Sequence, residues 1–315
     1  MKVVAITRRG GPSALETLER PLPEPGRGEI RLRVRAAGIN PVDVMLRDGT
    51  LAGEHHSVIP GMDVAGIVDA IGPDMWTPLK IGDRATGIVT GNSSEHGGYA
   101  EYVVLRAESV TAAPRGKSFA ESAAFLMPAL TARHALDALD ASPGSTVLIT
   151  GAAGAVGGSA VSLAKAGGLQ VIALASATDE LRVHRYGADV FLARGEDVAA
   201  RLHAIAPNGV DAVIETAGLR DAIFPLIRPG GRIVTVSGAQ GPAGQRRCDV
   251  EVIRILVGDR ATDSEAIRGL REAVETGILP VEVAATFPAD NAADAHRLFD
   301  RGGVRGRIVL LFGDE

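Results

Sequence analysis

The chain has 315 residues, 46% of them hydrophobic, which is enough for about two domains of roughly 150 residues each. Its 33 basic and 38 acidic residues give a formal charge of -5 and are mixed along the chain, without the basic blocks that bind nucleic acid or anionic lipid. An aromatic content of 3% also offers no stacking platform for single-stranded nucleic acid. We therefore expect no nucleic-acid partner.

The apolar segment from Met1 to Thr7 precedes Arg8 and Arg9, which reverses the order found in a secretory signal peptide. No apolar stretch approaches the roughly 20 residues that span a bilayer. We expect a cytoplasmic protein with no membrane partner. The single cysteine, Cys248, excludes an internal disulfide and a zinc site made of several cysteines, and we interpret it as a small buried residue.

The first third of the chain predicts antiparallel β-structure. From Glu29 to Gly38, apolar residues alternate with Arg31, Arg33 and Arg35, the period of two that is typical of a strand with one solvated face. Clusters of Gly, Pro, Asn and Asp separate further short strands. We place these strands at Lys2 to Ile6, Val64 to Ala70, Ala85 to Val89 and Tyr99 to Leu105. Their spacing indicates a small barrel or sandwich.

The pattern changes at Ser118, where Ser118 and Glu121 form a capping-box signature ahead of an Ala-rich helix. Strands and helices then alternate, which predicts a parallel sheet covered on both faces. The predicted strands are Thr146 to Thr150, Gln170 to Leu174, Asp189 to Leu192, Asp211 to Glu215, Arg232 to Val236 and Glu251 to Val257. The predicted helices between them are Ala155 to Ala166, Asp179 to Tyr186 and Asp197 to Ile205.

A later segment predicts a helix at Ser264 to Thr276, strands at Val283 to Phe287 and Arg307 to Phe312, and a helix at Asn291 to Arg301. We assign this tail to the β-rich domain. The predicted fold class is α/β: residues 1–117 and 263–315 form a β-rich domain, and residues 118–262 form a doubly wound domain of the kind that binds nucleotides.

A glycine-rich turn lies between the strand that ends at Thr150 and the helix that follows. Such a turn lets backbone N–H groups approach a pyrophosphate, and the helix N-terminus adds about half a positive charge. Gly154 and Gly157 match the second and third glycines of the dinucleotide fingerprint, and Ala152 stands in place of the first. A purely structural turn is the alternative. The strand, turn and helix order favours a dinucleotide site at Gly151, Ala152, Ala153, Gly154, Ala155, Val156 and Gly157.

The second predicted strand ends at Leu174-Ala175-Ser176, without a carboxylate. An acidic residue there would bind the ribose 2'-hydroxyl of NAD and repel the 2'-phosphate of NADP. We therefore expect NADP(H) as the cofactor, although the nearby Asp179 leaves NADH open. The candidate phosphate donors are Ser176, Arg182, Arg185 and Arg194.

Four motifs occur in a characteristic order: Asn40-Pro41-Val42-Asp43, Pro60-Gly61-Met62-Asp63-Val64-Ala65-Gly66, Gly97-Gly98-Tyr99-Ala100-Glu101-Tyr102 and the glycine-rich turn. Together they resemble the medium-chain dehydrogenase/reductase superfamily, in its zinc-independent quinone oxidoreductase (ζ-crystallin-like) branch, over essentially the whole chain. The resemblance implies a GroES-like catalytic domain, a Rossmann domain, a cleft between them and a homodimer.

By the same resemblance, Asn40 stands where zinc alcohol dehydrogenases have a Cys, and Gly61-Met62-Asp63 stands where they have Gly-His-Glu. Both positions have lost their metal-binding residue types. A metal site rebuilt from other side chains has no recognised spacing, so we expect no bound metal. The side chains considered for it are Glu54, His55, His56 and His96.

The resemblance implies that Asn40 and Asp43 line the nicotinamide end as catalytic residues and that Thr131 approaches the nicotinamide ribose or amide. For the first pair, helix initiation is an equal alternative, with Asn40 as N-cap and Asp43 at the third helical position. Gly238 and Arg307, the latter within Gly306 to Ile308, resemble cofactor-contacting positions, with a turn and a strand start as alternatives. Met45, Leu51 and Met127 are the expected walls of the substrate pocket.

The implied reaction is hydride transfer from C4 of the dihydronicotinamide to a quinone or to the β-carbon of an α,β-unsaturated carbonyl. Without zinc as a Lewis acid, electron-poor acceptors are favoured. Met45, Asp179 and Ala193 replace a Tyr, a Lys and a Tyr of some relatives, which leaves the proton donor and the phosphate contacts open. A biosynthetic enoyl or ketone reductase and an NADPH-binding protein with a non-redox role remain alternatives.

Overall fold

The computed structural model describes residues 1–51, 57–90, 97–195, 197–236 and 249–313. The chain forms two compact units. The β-rich unit comprises Met1–Met127, Ala261–Glu275 and Val281–Glu315, and the doubly wound unit comprises Pro128–Arg260 and Thr276–Pro280. No helix in the described part of the chain is long and apolar enough to cross a membrane.

The sequence places the change of domain at Ser118, whereas residues 118–127 belong to the β-rich unit. The reason is packing: Phe119 and Ala123 lie in one core cluster with Ala36, Ala65 and Val309 of the β-rich unit. Residues 276–280, which the sequence assigns to the β-rich domain, belong to the doubly wound unit.

The elements of the β-rich unit follow the chain in two blocks. The first block contains β1 (Lys2–Ile6), β2 (Leu15–Glu19), β3 (Glu29–Gly38), α1 (Pro41–Asp48), β4 (Asp63–Ile71), β5 (Arg84–Ile88), β6 (Tyr102–Arg106), β7 (Val110–Ala112), α2 (Phe119–Ser122) and the start of α3 (Leu126–Leu139). The second block contains α7 (Ser264–Glu275), β14 (Val283–Pro288), α8 (Ala292–Arg301) and β15 (Arg307–Leu311).

Strand β3 is the centre of the β-rich unit. Over the described residues, the main sheet has the order β14-β15-β3-β4-β5-β7, and β6 also pairs with β3. The predicted alternation in β3 is confirmed, because Ile30, Leu32 and Val34 are buried while Arg33 is exposed. Pairing is antiparallel throughout β15, β3 and β4, so the last residue of β3, Gly38, lies opposite both Asp63 and Val309. The end of β3 and the beginnings of β4 and β15 therefore meet at one edge.

The predicted strand from Tyr99 to Leu105 begins later, at Tyr102. The preceding residues pair with β1 instead: the Tyr99 carbonyl accepts from the Val4 N–H at 2.8 Å, and Ala100 bridges to Val3. This pairing turns the fully buried Tyr99 into the core beside Ile39 and Ile59.

The doubly wound unit has the parallel sheet that the sequence predicts. Its sheet has the order β10-β9-β8-β11-β12-β13 within the described residues, and every pairing is parallel. With β8 as the first strand, this is the order 3-2-1-4-5-6 of dinucleotide-binding domains. Its elements are β8 (Thr146–Thr150), α4 (Ala155–Ala166), β9 (Gln170–Ala175), α5 (Glu180–Arg185), β10 (Val190–Ala193), α6 (Val198–Ile205), β11 (Val210–Glu215), β12 (Ile227–Thr235) and β13 (Glu251–Arg254).

Both faces of this sheet are covered, as a continuous apolar strand requires. In β8, Val147 and Ile149 pack into one core cluster and Leu148 packs into another on the opposite face. The strand order reverses between β8 and β11, the position where open α/β sheets bind their ligands. The α/β fold class, with a β-rich domain and a doubly wound Rossmann domain, is thereby confirmed.

Candidate functional site

The glycine-rich turn joins β8 to α4 at the carboxyl edge of the parallel sheet. Gly154 is the N-cap of α4, and Gly154 and Ala155 are exposed. The first N–H groups of a helix have no partner within the helix, and they carry the positive end of its dipole. Because no side chain caps this end, it presents backbone donors to an anionic ligand such as a pyrophosphate.

Two glycines of the turn have no room for a side chain. Gly151 has φ +60°, and a Cβ there would lie 2.5 Å from Thr216 Oγ1. A Cβ at Gly157 would lie 2.2 Å from the Gly151 carbonyl oxygen, so α4 packs directly on the turn. Ala152, in place of the first fingerprint glycine, is fully buried and belongs to the core. The alanine thus replaces a glycine without disturbing the backbone donors.

A carboxylate that the sequence reasoning missed holds this turn against β11. Glu215 is 4% exposed, and its Oε1 accepts from Thr150 Oγ1 at 2.9 Å and from the Ala217 N–H at 2.7 Å. Its Oε2 accepts from the Gly218 N–H at 3.1 Å. The available signal was an acidic residue at the end of the otherwise apolar Val210–Glu215 strand. Glu215 therefore ties the segments after β8 and β11 together at the switch point.

The ends of β9 and β10 bring together two of the predicted phosphate donors. Ala193 pairs with Ala175, and the Arg194 N–H donates to the Ala175 carbonyl at 2.7 Å. Ser176 and Arg194 are therefore neighbours, on strands about 5 Å apart. Arg194 is exposed. A further arginine, Arg201 of α6, donates to the Ala193 carbonyl and was not predicted.

Three other residues considered for the cofactor site are buried or hydrogen-bonded within the protein. Arg182 donates from Nη1 to the Tyr186 hydroxyl at 2.8 Å, within its own part of the chain. Asp179 is only 5% exposed, so the carboxylate nearest to β9 is turned into the protein. Thr131, at 5% exposure, lies in the part of α3 that belongs to the doubly wound unit.

A second cluster lies in the β-rich unit, where β3, β4 and β15 meet. Arg307 Nη2 donates to Asp63 Oδ2 at 2.9 Å and to Asn40 Oδ1 at 2.8 Å. Asn40 Nδ2 donates to Asp63 Oδ2 at 3.2 Å. All three residues are at least nine-tenths buried. The structure thus places Arg307, the first residue of β15, beside the expected catalytic Asn40.

Asp43 is fully buried and accepts hydrogen bonds on both oxygens. Its Oδ1 accepts from the Gly61 N–H at 2.8 Å, and its Oδ2 accepts from the Asn40 N–H at 2.8 Å and from Tyr99 Oη at 3.3 Å. Helix α1 begins at Pro41 with Asn40 as N-cap, as the helix-initiation alternative predicts. The Asp43 side chain both starts the helix and joins it to the segment before β4.

Burial dominates the electrostatics of this cluster. It raises the pKa of Asp43 to about 6, although the Asn40 and Gly61 N–H groups and the Arg307 charge act in the opposite direction. Burial also raises the pKa of Asp63, again against the Arg307 charge. With a pKa of about 6, Asp43 is ionised at neutral pH, and both its hydrogen bonds and the Arg307 charge stabilise the ionised form.

The three expected pocket residues lie in the same unit. The Leu51 N–H donates to the Met45 carbonyl at 3.0 Å, and the Met127 N–H donates to Asp63 Oδ1 at 2.7 Å. Met45, Leu51 and Met127 are each partly exposed. Asp63 thus connects Met127 to Asn40 and Arg307. Gly238 and Cys248, together with Glu54, His55, His56 and His96, lie outside the described residues.

Gly157→Ala tests the turn. The added Cβ meets the Gly151 carbonyl and must displace α4 or the turn, so we expect dinucleotide affinity to fall at least tenfold, about 1.4 kcal/mol. Calorimetric titration measures this. Gly269→Ala, in the exposed part of α7 where a Cβ meets nothing within 4 Å, is the matched control and should leave the affinity unchanged. Equal affinities for the two variants would contradict the assignment of the turn.

Asp43→Asn tests the charge in the second cluster. Because the pKa of Asp43 rises from its ordinary 3.8 to about 6, the folded chain binds this proton more tightly than the unfolded chain. The resulting stability is present below about pH 4 and is lost as the pH rises through about 6, by about 3 kcal/mol at 1.4 kcal/mol per pKa unit.

The apparent urea midpoint of the wild type should therefore fall, relative to Asp43→Asn, between pH 4 and pH 7. When the urea midpoint is plotted against pH, a difference between the two proteins that is the same at every pH reports the lost hydrogen bonds. A difference that changes with pH reports the titration of Asp43. The exposed Asp74→Asn is the matched surface substitution and should run parallel to the wild type. A wild-type curve parallel to that of Asp43→Asn would show that the buried carboxyl does not titrate in this range.

Two family models match the chain. An alcohol dehydrogenase GroES-like domain matches residues 26–115, and a zinc-binding dehydrogenase domain matches residues 186–310. Among curated proteins, the quinone oxidoreductase of Lama guanicoe is 29% identical over 99% of this chain and 97% of its own. The 2-methylene-furan-3-one reductase of Solanum lycopersicum is 28% identical over 92% of this chain and 73% of its own.

Solved structures agree with these matches. An NAD-dependent alcohol dehydrogenase has a TM-score of 0.88 at 29% identity, covering 99% of this chain and 100% of the other. A mycobacterial protein complexed with NADPH has a TM-score of 0.84 at 27% identity with the same coverage. AibC has a TM-score of 0.86 at 30% identity, covering 100% of this chain and 96% of the other. With its two domains, its glycine-rich turn and these relatives, the chain belongs to the quinone oxidoreductase branch of the medium-chain dehydrogenase/reductase superfamily of oxidoreductases.

Proposed function

We propose that the protein is an NADPH-dependent, zinc-independent oxidoreductase that transfers hydride to a quinone or an α,β-unsaturated carbonyl. The observation that carries the proposal is the uncapped glycine turn beside a strand end that lacks a carboxylate. The turn supplies the dinucleotide site, and the end of β9 supplies the reason for NADPH.

The preference for NADPH rests on three features at the end of β9. The strand end Leu174-Ala175-Ser176 has no acidic residue that would repel a 2'-phosphate, and Arg194, directly after β10, is the neighbour of Ser176. Asp179, the carboxylate nearest to the end of β9 in sequence, is buried. The solved relative complexed with NADPH supports this reading, whereas the NAD-dependent relative makes NADH the alternative to be tested.

Independence from zinc rests on the side chains at the two altered ligand positions. Asn40 uses its amide on Asp63 and Arg307, so its oxygen accepts from a guanidinium at 2.8 Å. Met62 offers only a weak thioether ligand in place of an imidazole. Among the described residues no group of three His, Cys, Asp or Glu side chains is arranged to hold a metal.

When bound, NADPH supplies the hydride from C4 of its dihydronicotinamide ring. The chain binds the pyrophosphate at the N-terminus of α4, and apolar walls at Met45, Leu51 and Met127 exclude water from the acceptor. Asn40 and Asp43 form the framework of the nicotinamide end. An ionised Asp43 that accepts three hydrogen bonds has no proton to give, so the proton for the product comes from another source.

A second candidate is an enone reductase dedicated to one metabolite. It is favoured by the similarity to the tomato 2-methylene-furan-3-one reductase, whose name describes an enone substrate. Both candidates use the same cofactor turn and the same zinc-free site. They differ in the acceptor alone.

The function is tested by NADPH consumption, followed at the dihydronicotinamide absorbance band, with a panel of benzoquinones and enones. We expect turnover with NADPH, slower turnover with NADH, and no loss after dialysis against a chelator. Activity confined to one enone would favour the second candidate. A strict preference for NADH, a loss with chelator, or NADPH binding without turnover on any acceptor would each contradict the proposal.

Arg194→Gln tests the origin of the cofactor preference. A charge-assisted hydrogen bond to phosphate contributes about 1.5–3 kcal/mol, so we expect KM for NADPH to rise roughly tenfold or more while KM for NADH stays the same. The matched control is Arg268→Gln on the exposed side of α7. If both cofactors weakened equally, Arg194 would act on a group that they share, and if neither weakened, it would lie outside the site.

A further inference from the structure

A row of four buried side chains in the β-rich unit ends at Asp43, which is bonded to the cluster of Asn40, Asp63 and Arg307, called the Asn40 cluster below. Arg47 Nη1 lies 3.0 Å from His296 Nδ1, His296 Nε2 lies 3.1 Å from Tyr99 Oη, and Tyr99 Oη lies 3.3 Å from Asp43 Oδ2. The exposed fractions of the four residues are between 0% and 3%. They come from α1, α8 and the segment before β6, and the sequence motifs assign no role to Arg47, His296 or Tyr99.

The protons in this row can point in one direction only. A guanidinium donates and never accepts, so His296 Nδ1 must be the acceptor for Arg47. Burial and the Arg47 charge lower the pKa of His296 to about 3, so the ring is neutral and carries its hydrogen on Nε2. That hydrogen is donated to Tyr99 Oη, which leaves the single hydroxyl proton of Tyr99 for Asp43 Oδ2.

The row ends on the carboxylate that holds two backbone segments. Asp43 accepts from the Asn40 N–H and the Gly61 N–H, both at 2.8 Å. Tyr99 also packs on Gly61 directly, because a Cβ at Gly61 would lie 2.5 Å from the Tyr99 ring. The ring meets His296 edge to face, with centroids 5.8 Å apart. Both contacts fix the tyrosine where its hydroxyl can reach Asp43.

We infer that Arg47, His296 and Tyr99 are positioning residues, which form a one-directional hydrogen-bond chain that orients the Asp43 carboxylate and, through it, the Asn40 and Gly61 backbone. The inference rests on the proposed function in one respect, that the Asn40 cluster belongs to the reaction site. The chain cannot reverse. If Tyr99 donated to His296 Nε2, the imidazole hydrogen would lie on Nδ1 and would face the Arg47 N–H.

The direction of the hydrogen bonds from Arg47 to Asp43 is tested first, without any activity measurement. Long-range ¹H–¹⁵N spectra of the histidine-labelled protein report the tautomer, and His296→Gln identifies the His296 signals among those of the 7 histidines. We expect a neutral Nε2–H ring at every pH from 5.5 to 8. An Nδ1–H ring, or a ring that gains a proton in this range, would overturn the inference.

The positioning role is tested by three variants. Tyr99→Phe removes the proton donor to Asp43, and we expect kcat with a quinone to fall about tenfold. The dissociation constant for NADPH should stay within about twofold, because the glycine turn lies in the other unit. His296→Leu should lose kcat to a similar extent. His296→Gln should recover most of it, since an amide can accept from Arg47 and donate to Tyr99.

Non-additivity separates the chain from a general loss of packing. The double variant Tyr99→Phe/His296→Leu should be no slower than the worse single variant, because either change interrupts the same chain. His203→Gln on the exposed face of α6 is the control and should keep the wild-type kcat. Multiplied losses in the double variant, or a His296→Gln variant as slow as His296→Leu, would overturn the positioning role.

The two parts of the experiment also separate this inference from the proposed function. If the His296 tautomer is as expected but no acceptor is reduced, the chain stands and the proposed function fails. If acceptors are reduced but the tautomer is wrong, the proposed function stands and the chain fails. If a variant does not fold, the tautomer of His296 in the wild type still tests the hydrogen-bond chain.

Discussion

The buried ion pair between Asp63 and Arg307 is the contact on which the β-rich unit's site depends. Removing two charges from water costs several kcal/mol per ion, and their mutual attraction offsets this only where further hydrogen bonds complete the geometry. Here Asn40 bonds to both partners, and the Met127 N–H bonds to the second Asp63 oxygen. The pair therefore fixes the ends of three strands and the start of α3 at once, and loss of either charge would leave the other buried and unpaired.

The two units use different polar groups at their candidate sites. In the doubly wound unit the donors are backbone N–H groups, so glycine at Gly151 and Gly157 matters more than any side chain. In the β-rich unit buried side chains form the cluster, and the N–H groups of Asn40, Gly61 and Met127 donate to their carboxylates. In the doubly wound unit, the side chain of Glu215 also contributes: it is a buried carboxylate that accepts from backbone N–H groups of a turn. Asp43 does the same in the β-rich unit.

The local parts of this arrangement could be predicted from the sequence. The glycine turn, the alternation in β3 and the helix start at Pro41 depend on residues within about ten positions of one another, where periodicity and capping rules apply. The partners of Asp43 could not be predicted, since Tyr99 and His296 are 56 and 253 positions away and nothing in their local pattern marks them. The boundary at Met127 was missed for a similar reason, because the short helix α2 packs on residues that are distant in sequence.

Strand β15 is synthesised only after the doubly wound unit. Arg307 lies at the start of this strand, which pairs with β3 and follows the whole doubly wound unit in sequence. A ribosome therefore releases β3 and β4 long before their partner strand exists, with Asp63 still lacking its cation. The doubly wound unit, built mainly from one continuous segment, can fold while the β-rich unit waits. During that interval the end of β3, from Ala36 to Gly38, lacks its partner strand and can pair with other chains, and β15 later covers it and brings the arginine.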